Sequence, residues 1–170
     1  MRWMDDAELE KAYDAHASGL FRYLLGFTKC EADARDLLQD LFIKLARGVK
    51  DPALNQKALV YRIAHNLAID WLRRQAARGD VKQRLLGELA SNPRYSHDPD
   101  SDLLATSFTS AMQTLPEEQL AVVQLRLFDG LTFEEIAAVQ DVPLNTAASR
   151  WHYAIEKLRF ILRPLYEEII

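Results

Sequence analysis

TFEEIAAVQDVPLNTAASRW, residues 132–151, divides into two short helical stretches around a tight corner. Thr132 and Glu135 have the spacing of a capping box, in which the hydroxyl accepts from a first-turn N–H and the glutamate reaches back to the cap. DVP at 141–143 breaks the first stretch, because proline restricts the residue before it and favours a first helical turn after it. Phe133, Ile136, Ala137, Val142, Ala147, Trp151 and Leu158 then fall where they can share a small core. The pattern is a helix-turn-helix. Its second half carries one arginine, Arg150, and no lysine, so a plain helical hairpin without a DNA role stays open at this point.

Working outward, DG at 129–130 ends a preceding helix, glycine supplying the left-handed corner. Helical periodicity continues through almost the whole chain, and no segment keeps a strand's alternation. The spacing predicts helices at about 6–27, 31–47, 54–78, 102–113, 117–128, 133–140 and 145–166. LASNPRYSHDPDSD, residues 89–102, mixes two prolines with polar and acidic residues and reads as a mobile linker. The fold class is therefore all-α. Two small helical domains, 1–78 and 103–170, are joined by a flexible linker over 79–102, and the second contains the helix-turn-helix.

Composition excludes several functions. Of 170 residues 49% are hydrophobic and 27% charged, the balance of a soluble globular protein. No apolar run approaches the ~20 residues of a membrane span, and MRWMDDAELE shows no secretory signal. Cys30 is the sole cysteine, so it reads as a small core residue, and a redox role would need a partner's thiol. His16, His65, His97 and His152 show no metal-ligand spacing. No catalytic constellation can be assembled, so no enzyme, cofactor or metal is expected.

The net charge of −4 is unevenly spread. Residues 1–78 hold 13 Lys/Arg against 11 Asp/Glu, and residues 112–170 hold five against nine. Residues 57–78 alone hold five basic side chains against Asp70. The basic footprint thus lies outside the helix-turn-helix. On a wheel of about 100° per residue, Leu59, Val60, Ile63, Ala64, Leu67 and Trp71 form one apolar face. Arg62, Asn66, Ile69 and Arg73 form a strip on the other side, bordered by Asp70 and Arg74, with Tyr61 and His65 beside it. A solvated face would look the same. Arginine also neutralises phosphate, an amide can read a base edge, and aromatic rings stack on unpaired bases.

Four segments in order, EADARDLLQDLFIKLAR, ALVYRIAHNLAIDWLRR, LPEEQLAVVQLRLFDGLTFEEIA and VPLNTAASRWHYAIEKLR, closely resemble the extracytoplasmic-function sigma factors of bacterial RNA polymerase. The resemblance implies a transcription initiation factor that binds core polymerase, directs it to promoters and helps open the DNA. It places Asp33, Asp36, Gln39, Asp40, Phe42 and Leu45 on the clamp helices of the largest subunit, and implies a contact with the flap of the second-largest. Tyr61, Arg62, Asn66, Asp70, Arg73 and Arg74 are placed at the −10 promoter element. Asn145, Thr146, Ser149, Arg150, His152 and Tyr153 are placed at the −35 element. Members typically carry basic residues where Ala148 and Tyr153 stand, and glycine where Asp141 stands. These departures predict weak DNA binding by the second domain alone. The resemblance also implies an anti-sigma partner, no membrane insertion, and a cytoplasmic protein associated with the nucleoid as holoenzyme. An alternative is a sigma-like protein that binds an anti-sigma factor without directing transcription; a repressor using only the second domain fits less well.

Overall fold

The computed structural model describes residues 4–79 and 99–169. Seven helices occur among them: α1 (Asp6–Thr28), α2 (Glu31–Ala46), α3 (Gln56–Arg78), α4 (Pro99–Gln113), α5 (Glu117–Leu127), α6 (Phe133–Gln140) and α7 (Leu144–Ile169). The described residues contain no strand. Residues 80–98, most of the expected linker, lie outside the described residues. Its last four positions do not belong to a loop: α4 begins at Pro99, three residues earlier than expected. Proline suits a helix's first turn, where its missing N–H would have no partner in any case.

Helix ends follow local chemistry. Asn55 caps α3 by accepting from the Ala58 N–H at 2.8 Å, and Gly79 ends it with φ 72°. At α6 both halves of the capping box form: Glu135 N–H donates to Thr132 Oγ1, and Thr132 N–H donates to Glu135 Oε2 at 2.8 Å. Gly130, with φ 68°, turns the chain after α5 as the DG pair predicts. Asp141, where the resemblance leads one to expect glycine, adopts the left-handed conformation itself (φ 54°) and closes α6 with its N–H.

α1, α2 and α3 pack on one another, and α7 gathers α4, α5 and α6 around it. The buried side chains of both groups run together into one apolar cluster. α3 lies against α6, and α1 lies against α5. The two expected helical lobes are present, and the N-terminal one is in contact with the C-terminal one. None of the helices among the described residues is long and apolar enough to cross a membrane.

Candidate nucleic-acid interface

On α3 the expected strip divides. Asn66, Asp70, Arg73 and Arg74 are exposed, with Arg73 3.8 Å from the Asp70 carboxylate. Arg62 is half-buried and pairs with Asp51 at 3.2 Å, which ties the helix to the loop before it. Tyr61 and His65 are buried, not presented beside the strip as the wheel suggested. The wheel's apolar face holds broadly, but burial extends beyond it to Ala58, Tyr61, His65, Ala68 and Gln75. The extension has a physical cause: α1 and α2 cover one side of α3, and α6 covers part of another.

Tyr61 donates its hydroxyl hydrogen to Asp129 Oδ1 at 2.6 Å. Burial together with the neighbouring carboxylate holds that phenol protonated, well above the usual tyrosine range. Arg22 of α1 donates to the same carboxylate oxygen at 3.1 Å and lies over the Phe128 ring. Lys57 donates to the Asp129 backbone carbonyl. Asn55 donates from Nδ2 to Glu135 Oε1 at 2.8 Å, so the caps of α3 and α6 are hydrogen-bonded to each other. His65 shares a 2.8 Å hydrogen bond with the buried Tyr23 hydroxyl. Burial, with a smaller contribution from the Arg150 cation, pushes the His65 imidazole down to about 4, so it is neutral at pH 7.

On α7, Asn145, Ser149, His152 and Tyr153 are exposed and line one shallow recess with Ala148. Tyr153 is 61% exposed, its ring tilted against His152 at 5.9 Å. Thr146 is half-buried. Arg150 stands on another side of the helix. Its side chain is only 21% exposed, and its guanidinium is held by Gln140 Oε1 at 2.9 Å and by Glu118 at 3.6 Å. The sole cation of the second helical stretch is thus engaged within the protein. The remaining recess offers an amide, hydroxyls and rings.

On α2, Asp36, Gln39 and Asp40 are exposed, and Asp33 and Phe42 are half-buried. Leu45 is 2% exposed and belongs to the core, which removes it from the expected polymerase-contacting set. Leu9, Tyr13, Leu38, Phe42 and Ile43 instead line an apolar recess between α1 and α2, with Gln39 at its edge. Tyr13 and Phe42 stack obliquely there, centroids 5.0 Å apart. The α1 contribution was not read from the sequence. Tyr13 is 52% exposed beside Phe42. Among the described residues no cluster of His, Cys, Asp and Glu could hold a metal ion.

Comparison with known proteins agrees with this layout. Residues 12–78 match the family described as Sigma-70 region 2, and residues 111–159 match Sigma-70, region 4. The RNA polymerase sigma factor SigL of Mycobacterium tuberculosis is 30% identical over 169 residues, spanning 94% of this chain and 92% of the relative. The chain belongs to the extracytoplasmic-function sigma factors. SigE of Mycolicibacterium smegmatis is 31% identical over 150 residues, which are 85% of this chain and 57% of that longer protein. In fold, the chain is similar to the sigma factor RpoE of Bartonella quintana, solved in complex with the anti-sigma factor NepR. The TM-score is 0.71 at 22% identity, covering 92% of this chain and 95% of that one.

Proposed function

We infer that this sigma factor binds core RNA polymerase through the α1–α2 face and directs it to promoters through α3 and α7. One observation carries the inference: the region 2 and region 4 matches follow in order, and each lobe keeps an exposed polar face of its own. The acidic and amide edge of Asp36, Gln39 and Asp40 beside an apolar recess suits the clamp helices of the largest subunit, a coiled-coil surface. Asp33 and Phe42 border that edge. The α7 lobe would meet the flap of the second-largest subunit.

Asn66, Asp70, Arg73 and Arg74 meet the separated −10 strand, arginines on phosphate and the amide on a base. Asn145, Ser149, His152 and Tyr153 read the −35 element, with Thr146 at the start of the helix. An anti-sigma factor holds the lobes in check, the protein works in the cytoplasm, and it reaches the nucleoid as part of holoenzyme. Regulation of initiation, not enzymatic turnover, is its activity.

Reconstituted transcription with core polymerase over a genomic promoter library tests this reading. Promoter-dependent transcripts are expected only when the chain is added. Binding to core polymerase without any transcript would favour the anti-sigma-binding alternative.

A further inference from the structure

Asn145, Ala148, Ser149 and His152 follow one another at the three- and four-residue spacing that keeps side chains on one face of a helix. Together with Tyr153 they line the recess near the start of α7. Base edges in the major groove are told apart by the donors, acceptors and methyl groups they present, so the chemistry of this face limits what it can read.

Guanine presents two acceptors, O6 and N7, and its usual partner is the fork of donors on arginine or lysine. The recess holds neither. Arg150 is turned away and held by Gln140 and Glu118. Lys157 donates to the Thr114 carbonyl at 2.9 Å. Arg159 and Arg163 return to the same side of α7, but at the rise of an α-helix they lie about 10 Å and about 16 Å beyond His152. Glu156 stands between, its carboxylate 3.4 Å from His152 Nε2. The far nitrogen of that ring thus faces a carboxylate of its own helix.

What remains suits the other base pair. A side-chain amide accepts from adenine N6 while donating to N7, and Asn145 is exposed in the first turn of α7. In a helix-turn-helix, base edges are met by the N-terminal residues of the second helix. Ala148, one turn on, offers a methyl group with no polar atom to desolvate, which fits the C5-methyl of thymine. The Ser149 hydroxyl bonds to any base and adds no preference.

We propose that the recess on α7 reads A·T pairs: Asn145 takes an adenine, Ala148 takes the methyl group of a nearby thymine, and no side chain of the recess grips both acceptors of a guanine. The assignment rests on the sigma-factor reading of α7 and narrows it to a class of sequence. Alanine at 148, where the resemblance leads one to expect a cation, then changes which bases are chosen as well as how tightly DNA is held.

The test uses holoenzyme assembled from the full chain and core polymerase, on a promoter recovered by reconstituted transcription. Affinity is measured by mobility shift as each A·T pair of the upstream element is replaced by G·C. At one pair the loss should be about tenfold, and Asn145→Ala should remove that penalty. Exchange of thymine for uracil takes away only the methyl group; it should weaken binding by the parent protein about fourfold and leave Ala148→Gly indifferent. Ala148→Arg should come to prefer G·C at the position it faces. Each comparison is between two DNAs bound by one protein, so a change in stability does not imitate the result.

Should Ala148→Arg or Ala148→Gly not fold, the uracil exchange with the parent protein still decides. Equal affinity of the parent for thymine and uracil DNA overturns the proposal, as does a G·C pair that binding requires and Asn145→Ala no longer distinguishes. Absence of any promoter-dependent transcript strikes the sigma-factor reading and the proposal with it. Transcripts from promoters whose upstream element needs guanine strike the proposal alone.

Discussion

Asp141 shows how a single departure from a family habit is absorbed. A left-handed backbone costs most L-residues about 1–2 kcal/mol, and aspartate tolerates it better than most. Asp141→Gly should therefore stabilise the C-terminal lobe by up to about 1 kcal/mol, seen as a higher Tm; a lower Tm would mean that the carboxylate holds the corner. Leu45 is the reverse case. Its motif position suggested a partner contact, yet it is fully packed. Leu45→Ala should cost roughly 2–5 kcal/mol of stability, whereas Gln39→Ala should leave the unfolding midpoint in place and weaken affinity for core polymerase. Equal stability of the two variants would put Leu45 back on the surface. Arg150 is also built in, through Gln140 and Glu118. Arg150→Ala should lower the Tm of the helix-turn-helix, while His152→Ala should weaken promoter binding without doing so. A promoter defect in Arg150→Ala at unchanged Tm would return that arginine to the DNA face.

Elements were legible where the signals are local. The capping box at Thr132, the DG corner and the proline at 143 each act within a few residues, and α6 and the start of α7 fall within a residue of expectation. The wheel of α3 was legible only in part, because a wheel separates apolar from polar and cannot say how many neighbours a helix has. Tyr61 and His65 carry polar atoms, so they read as surface groups. They are buried because Asp129, from beyond α5, and Tyr23, from α1, satisfy those atoms. The buried imidazole has a consequence in pH. Its folded value is about 4, against about 6.5 for an unfolded histidine. Below about 6.5 the unfolded chain takes up a proton that the folded chain refuses. Stability must then fall as the pH drops toward 4, by roughly 3 kcal/mol from this group. Asp129 acts in the opposite sense, since burial holds its carboxyl above the usual range and protonation favours the folded form. His65→Gln keeps an acceptor for Tyr23 and cannot titrate. Its urea midpoint should change less between pH 7 and pH 5 than that of the parent protein; an equal change would assign the acid sensitivity to carboxylates elsewhere.

At the scale of the whole molecule, charge explains what the sequence left hidden. Residues 1–78 carry a small positive excess and residues 112–170 a clear negative one, so the lobes attract each other before they attract DNA. That asymmetry was visible in the sequence, but it was read as a difference between two DNA faces. Only the folded chain shows Arg22 and Lys57 meeting Asp129, with Asn55 meeting Glu135 nearby. The contact includes these polar pairs beside the shared apolar cluster, and Arg22 keeps 54% of its side chain in solvent. Partly exposed pairs are screened once the Debye length shrinks from about 10 Å at 0.1 M salt to about 3 Å at 1 M. A compact chain of this length has a radius of gyration of about 15–16 Å. Small-angle scattering should give a value near that at low ionic strength and a larger one as salt rises, with helical content by circular dichroism unchanged. The low charge of the exposed face of α7 then has a consistent role. A strongly basic α7 would compete with Arg22 and Lys57 for the same acidic corner, and it would bind promoter DNA before polymerase arrived. A radius that does not respond to salt would instead assign the docking to the packing of α3 on α6 and the apolar cluster the two lobes share.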